Sequence, residues 1–245
     1  ARGDGAASTA AAYLALDFPE LEGVVRLARS SRWVGRDKAE TWERVAWTDP
    51  DFFKVLPYPV LAGDPVAALH DPNGLVLTRE VARKYFGVDA PIGETLLILA
   101  PDGDDALSTT PHPMRVGAVL EDIPRQTHLE QFKIFAPGNA AWANRAPENR
   151  LFYWTYARLP PGMSADRTRD GLEAFAARHY SSDWRFRLEP LKDLHLTAQR
   201  RAVVRQIAIV GALIIVIAAI NFVTLMTARA VRRAGDGRDG DPRRR

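Results

Sequence analysis

The residues with the means to do chemistry are scattered along this chain. Five histidines stand at positions 70, 112, 128, 179 and 195. A helical metal site needs two of them about one turn apart beside a glutamate, and no pair has that spacing. His128 in THLE and His195 in DLHLT lack a paired carboxylate motif, so each reads as a structural histidine. Asp102, Asp104 and Asp105 lie in PDGDDA, superficially a calcium loop. Pro113 stands where a closing glutamate belongs, so this segment reads as a solvated turn. Ser30-Ser31 and Ser181-Ser182 lie in polar contexts, without a Gly-x-Ser-x-Gly elbow. No lysine follows a glycine, which excludes a P-loop. With no cysteine there is no disulfide framework, thiolate zinc site, iron–sulfur cluster or cysteine nucleophile. The expectation is no catalytic, cofactor-binding or metal-ligating residue, and no enzyme.

Composition narrows the class. The chain has 245 residues, 47% hydrophobic and 26% charged, which fits a folded protein and not a disordered one. The formal charge is +3. From Ile207 onward seven arginines face three aspartates, so the rest of the chain sits at −1. The basic character belongs to the tail, which argues against nucleic acid as a partner.

The elements that position these residues begin with Ile207 to Ala228, 22 residues without a charge. As a helix this run is roughly 33 Å long, enough to cross a bilayer. Arg200, Arg201 and Arg205 precede it; Arg229, Arg232 and Arg233 follow it. The arginine excess after the span predicts a cytoplasmic C-terminus, with the main domain outside, in the periplasm. Within the span, Asn221 is the one strongly polar side chain. Alone in hydrocarbon it is costly, so Asn221 and Thr224 are the expected interhelix contact. The competing reading places Asn221 at the membrane interface. Residues 1–12 read as a flexible segment without a secretory apolar core, so a signal peptide or first span is expected upstream. Residues 13–200 form the outer domain, 201–230 the membrane helix, and 231–245 a disordered basic tail.

Inside 13–200 the pattern predicts strands over Val24–Val34, Arg44–Trp47, Thr95–Leu99, Met114–Leu120, Phe132–Phe135, Leu151–Leu159 and Trp184–Leu188. Phe152, Trp154 and Tyr156 alternate as a core stripe. Asp51–Leu56 reads as a short helix with an aspartate cap. Thr78 caps a helix packing Val81, Ala82, Tyr85 and Phe86, and Gly87 ends it. Ser164 caps another, with Leu172, Phe175, Ala176 and His179 on one face. Prolines and Gly63 set a turn in LPYPVLAGDP, and Pro91 and Gly93 set a turn into a strand. Strands and helices without regular alternation give α+β: a mixed-sheet extracytoplasmic domain followed by a single transmembrane helix.

Several of these segments resemble the extracytoplasmic core of MacB/FtsX-like ABC transporter permeases. They are DFPELEGVVRL, DPDFFKVLPYPVLAGDP, DPNGLVLTREVARKYFG, APIGETLLI, MRVGAVLEDIPRQTHLEQF, LKDLHLT and INFVTLMTARAVRRA, in family order over about 220 residues. The resemblance implies a bacterial inner-membrane permease with four spans, the outer domain lying between the first and second. It implies a homodimer or paired permease, membrane lipid around it, and a separate cytoplasmic ABC ATPase. ATP hydrolysis would move the outer domain, which acts on lipoproteins, peptides, drugs or partner proteins. After Arg233-Ala234 the family's ATPase-docking run, acidic and Val-Gly-Val-Arg-Lys-like, is replaced by GDGRDGDPRRR, so a truncated or frameshifted chain is expected. The alternative is a single-pass, membrane-tethered binding or sensing module without an ATPase. A tethered hydrolase is the third reading; it requires a carboxylate, histidine or serine cluster in the fold.

Overall fold

The computed structural model describes residues 9–37, 41–102, 105–138, 154–180, 184–191 and 198–236. It separates into two units, residues 1–189 and 190–245. The first contains α1 (Ala10–Asp17), β1 (Gly23–Gly35), β2 (Thr41–Thr48), α2 (Phe52–Val55), β3 (Val60–Gly63), α3 (Pro65–His70) and β4 (Gly74–Thr78). It continues with α4 (Arg79–Phe86), β5 (Thr95–Asp102), β6 (Asp105–Leu120), β7 (Ile134–Pro137), β8 (Trp154–Arg158) and α5 (Ala165–His179). The fold is α+β with a mixed sheet, as the irregular succession of elements predicts.

One sheet joins all eight described strands. Six form a ring in the order β1-β2-β7-β4-β6-β5, which the pairing of β5 with β1 closes. β4 runs parallel to β6, and β2 parallel to β7; the other pairings are antiparallel. Inside the ring lies one core, with Val34, Val45, Leu75, Leu77, Ile98 and Met114 among its members. α4 contributes Val81 and Ala82 to it. A second core covers the outer face, where α2 and α3 lay Phe52, Phe53, Ala68 and Leu69 against Leu27, Val76, Leu120 and Phe135.

β6 serves both cores through a bulge. Its register against β4 shifts between the Leu75–Val116 and Val76–Ala118 pairs. The inserted Gly117 changes the parity, so Val116 and Val119 face the inner core while Ala118 and Leu120 face the outer one. β3 docks on the same stretch. Gly63 has φ +76°, and a Cβ there would stand 2.1 Å from the Gly117 carbonyl oxygen. Glycine is required at this position for its backbone conformation and for its missing side chain.

The expected strands at Val24–Val34, Arg44–Trp47, Thr95–Leu99 and Met114–Leu120 lie within longer ones, Thr95–Leu99 opening β5 and Met114–Leu120 closing β6. β7 begins two residues later than expected, because Phe132 is buried in the outer core ahead of the ladder. Phe152 lies outside the described residues; Trp154 and Tyr156 lie in β8, with Tyr156 in the outer core. Trp184–Leu188 is not a strand: Phe186 and Leu188 pack with Leu172 and Phe175 of α5, and no described strand pairs with them. The flexible reading of residues 1–12 fails at Ala10–Ala12, which start α1, with Ala10 and Ala11 buried. β3, α3 and β4 were missed. α3 had a signal in Asp64-Pro65, where Asp64 Oδ1 accepts from the Val66 and Ala67 amides at 2.9 and 3.1 Å. Two expected caps also differ. The Thr78 hydroxyl makes no cap bond, and Asp122 instead accepts the Glu80 amide at 2.8 Å. The Asp51 carboxylate leaves its helix end for Lys54 and His70. Ser164 does cap α5, accepting the Asp166 amide at 3.2 Å, and Gly87 does end α4, at φ +74°.

The second unit contains α6 (Ala198–Asp236). It starts three residues before the expected boundary at 201 and carries the first residues of the expected disordered tail in helix, as far as Asp236. Gln206–Thr227 within it is long and apolar enough to cross a membrane, and none of it is buried.

Substitution at Gly63 tests the bulge. Gly63→Ala is expected to destabilise the full chain by at least about 2 kcal/mol, from left-handed strain plus the backbone clash. Gly87→Ala, at a similar φ with nothing within 4 Å, should cost only the strain. Thermal unfolding of both variants checks the difference.

Candidate functional site

The fold disperses the described histidines. His70 Nε2 lies 3.1 Å from Asp51 Oδ1 on the surface. The Asp51 carboxyl is held below the usual carboxylate range by its hydrogen bonds from Lys54 and then His70. His112 lies in β6 opposite Ile98. His195 falls outside the described residues. Asp102 and Asp105 pair across the ends of β5 and β6, so the acidic segment flanks a hairpin end; Asp104 is outside the described residues. Among the described residues no three histidines or carboxylates gather as metal ligands.

His128 sits half-buried in the segment between β6 and β7. Its ring lies 5.5 Å from that of Tyr156 and 6.0 Å from that of Trp154. Nε2 is 2.9 Å from the Tyr156 hydroxyl. Burial pushes the imidazole below its ordinary value, favouring the neutral ring. With the proton on Nδ1, Nε2 accepts from the hydroxyl. Burial pushes the Tyr156 phenol up, so it remains a donor.

The densest polar construction clasps α1 to α5. Asp17, at the end of α1, has a side chain 13% exposed. Its Oδ2 accepts from Arg178 Nη1 at 2.7 Å and lies 3.0 Å from His179 Nε2. One turn back, Tyr13 stacks flat on the His179 ring at 4.3 Å. Tyr180 and Thr9 hydroxyls meet at 3.0 Å. Beneath them Phe18, Leu172 and Phe175 form a small third core. Asp17 and His179 are 162 residues apart, so this clasp joins the first and last helices of the domain. Sequence reasoning placed His179 on the apolar face of α5 and missed its carboxylate partner. The available signal was Tyr13 and Asp17 at i and i+4, one face of a helix.

A shallow cleft of about 240 Å³ opens between α3 and the Ile92–Gly93 turn. Its charged members are Asp71 and Arg115, paired at 2.9 Å, and Asp64, whose carboxylate caps α3.

In α6 the apolar side chains from Ile207 to Met226 are 48–71% exposed, a surface suited to lipid and not to water. Thr224 and Thr227 donate to the Ile220 and Val223 carbonyls at 2.8 and 2.7 Å, one turn back in the same helix. The expected contact pair therefore divides: the Thr224 proton is engaged within its helix. Asn221 is exposed, and among the described residues its amide has no hydrogen-bond partner.

These features define an α+β domain followed in the chain by one candidate membrane-spanning helix. The family described as MacB-like periplasmic core domain matches residues 2–175, and the chain belongs to that family, the periplasmic domains of inner-membrane permeases. No curated protein matches it. Solved structures share its fold. A domain assigned to a permease protein of Porphyromonas gingivalis is 22% identical, with TM-score 0.54, over 74% of each chain. The periplasmic region of MacB from Actinobacillus actinomycetemcomitans is 15% identical, with TM-score 0.53, over 71% of this chain and 74% of that one. The extracellular domain of the ABC-type transporter YknZ from Gram-positive bacteria is 13% identical, with TM-score 0.51, over 73% and 86%.

Two outcomes are expected of this region. Asp17→Asn removes a charged acceptor from Arg178 and His179 and should cost about 1.5–3 kcal/mol, with faster amide hydrogen exchange in α1 than in β4. His128 has its folded value depressed, so its contribution is present above about pH 6.5 and is lost as pH falls through the folded value. His128→Gln should flatten that part of the stability profile between pH 7 and 5, read as the unfolding midpoint against pH.

Proposed function

We propose that this chain is a permease subunit of an ABC transporter of the MacB/FtsX-like type. A cytoplasmic ATPase moves its extracytoplasmic domain to export or extract a substrate, or to transmit force. The observation that carries this reading is the family match over residues 2–175 followed in the chain by an apolar helix of membrane-spanning length. The α1–α5 clasp supports it physically. A displacement applied at either end of the domain reaches both end helices, because Asp17, Arg178, His179 and Tyr13 tie them together.

The cytoplasmic C-terminus is supported by Arg229, Arg232 and Arg233 directly after the span. Pairing with a second permease helix, in a homodimer or beside a paired permease, is supported by Asn221. An amide in hydrocarbon gains a partner only from another polar group, and an adjacent helix can bring one. The Thr224 oxygen, one turn on, keeps acceptor capacity for the same partner.

The cysteine-free sequence makes the tests direct. Asn221→Cys should give an oxidant-dependent cross-linked dimer in membranes, while Val223→Cys, on the opposite side of the helix, should not. In intact cells an impermeant maleimide should label Thr127→Cys but not Asp239→Cys, which should react only after permeabilisation. The full chain purified from its native membrane should bring an ATP-binding-cassette subunit in comparable amount. Recovery without one favours the single-pass binding or sensing module.

A further inference from the structure

The outer arm of the β1–β2 hairpin carries exposed aromatic and cationic surface. Cross-strand partners share a face of a sheet, and alternate residues along a strand do too. The pairs Arg29–Ala46, Ser31–Arg44 and Trp33–Trp42 therefore set Arg29, Ser31, Trp33, Trp42 and Arg44 on one face. Inward along that face, Leu27 and Ala46 are buried in the outer core. Outward, Trp33 and Trp42 are 45% and 58% exposed, meeting edge to face at 5.4 Å.

The two arginines on this face carry charge that no described carboxylate offsets. Twelve of its described lysines and arginines hold a carboxylate in an ion pair. Among the described residues Arg29 and Arg44 hold none, as do Arg32, Arg125, Arg167 and Arg185, but Arg29 and Arg44 share a sheet face with the exposed Trp33–Trp42 pair. Arg29 lies 5.7 Å over the Trp154 ring, and Arg44 reaches the neutral Gln131 at 3.4 Å. Glu43, between them in the hairpin, faces the other way, engaged by Lys84 and Tyr85.

We propose that this face docks an acidic segment of a protein partner, with carboxylates on Arg29 and Arg44 and an apolar side chain against the Trp33–Trp42 pair. Tryptophan and arginine dominate binding energy at protein interfaces, since both offer large apolar or planar area together with a directional polar group. The layout is linear. Along β1 the rows of Arg44 and Arg29 lie about 7 and 13 Å from the tryptophan row, the reach of a few residues of extended chain. A lipid headgroup concentrates its charge at one point and matches such a strip poorly.

The test uses the full chain in phosphatidylcholine nanodiscs. The probes are fluorescein-labelled peptides of glutamate interspersed with leucine, and the same peptides with lysine for glutamate. Anisotropy should rise saturably with the glutamate peptide, fall off at high salt, and stay flat with the lysine peptide. Arg29→Gln and Arg44→Gln should each weaken binding about fivefold, and Trp42→Thr about thirtyfold, at unchanged far-ultraviolet circular dichroism. Arg44→Glu should shift preference toward the lysine peptide, a gain that misfolding cannot produce. Absence of saturable binding overturns the proposal, as does binding indifferent to these variants. Co-flotation with phosphatidylglycerol vesicles that depends equally on Arg29 and Arg44 overturns it in favour of a membrane contact. ATPase coupling is read separately by co-purification, so the two readings fail independently.

Discussion

Closure of the sheet on itself is the constraint on which the rest of the domain depends. β1 makes it possible. Its 13 residues pair with β2 along one edge, and with β8 and then β5 along the other. Opening the Val34–Gly35 contact with Leu97–Ile98 would expose a core that includes Val34, Ile98 and Met114, all essentially inaccessible. Burial of such side chains contributes about 1.5–3 kcal/mol each, far more than the few ladder bonds at the seam. The seam is therefore held by what lies behind it.

Closure also gives the sheet a second face to cover. α2, α3 and the segment after β6 do this with phenylalanines. Phe52, Phe53 and Phe135 meet with ring centroids 5.3–6.1 Å apart. A single strand cannot serve an inner and an outer core at neighbouring positions without breaking its alternation. β6 breaks it at Gly117, and that break forces a glycine at position 63 on the neighbouring strand. The α1–α5 clasp stands apart from both cores, on its own small cluster of Phe18, Leu172 and Phe175. Its polar contacts fix the register of two helices that no ladder holds.

In the membrane helix the ordering principle is reversed. There apolar side chains face outward, and polar groups must find partners inside the helix or on another one. Thr224 and Thr227 find theirs one turn back. Among the described residues Asn221 does not.

The sequence by itself determined the candidate membrane span, parts of most strands, the helices at Thr78–Gly87 and Ser164–His179, and the family, because these rest on local pattern: an uncharged run, period-two alternation, caps and terminators. It missed β3 and β4, since Val60–Gly63 and Gly74–Thr78 are short, and β4, buried on both faces, shows no alternation. It read Trp184–Leu188 as a strand because alternation reports two faces and not a neighbour to pair with. It assigned caps by residue type at Asp51 and Thr78, whereas a tertiary contact from Asp122 and a competing ion pair with Lys54 and His70 decided them. The clasp of Asp17 with Arg178 and His179, and the face shared by Arg29, Trp33, Trp42 and Arg44, were settled only by the fold. Both depend on which distant or cross-strand residues come within a few ångströms, and ring closure and register, not local pattern, set those distances.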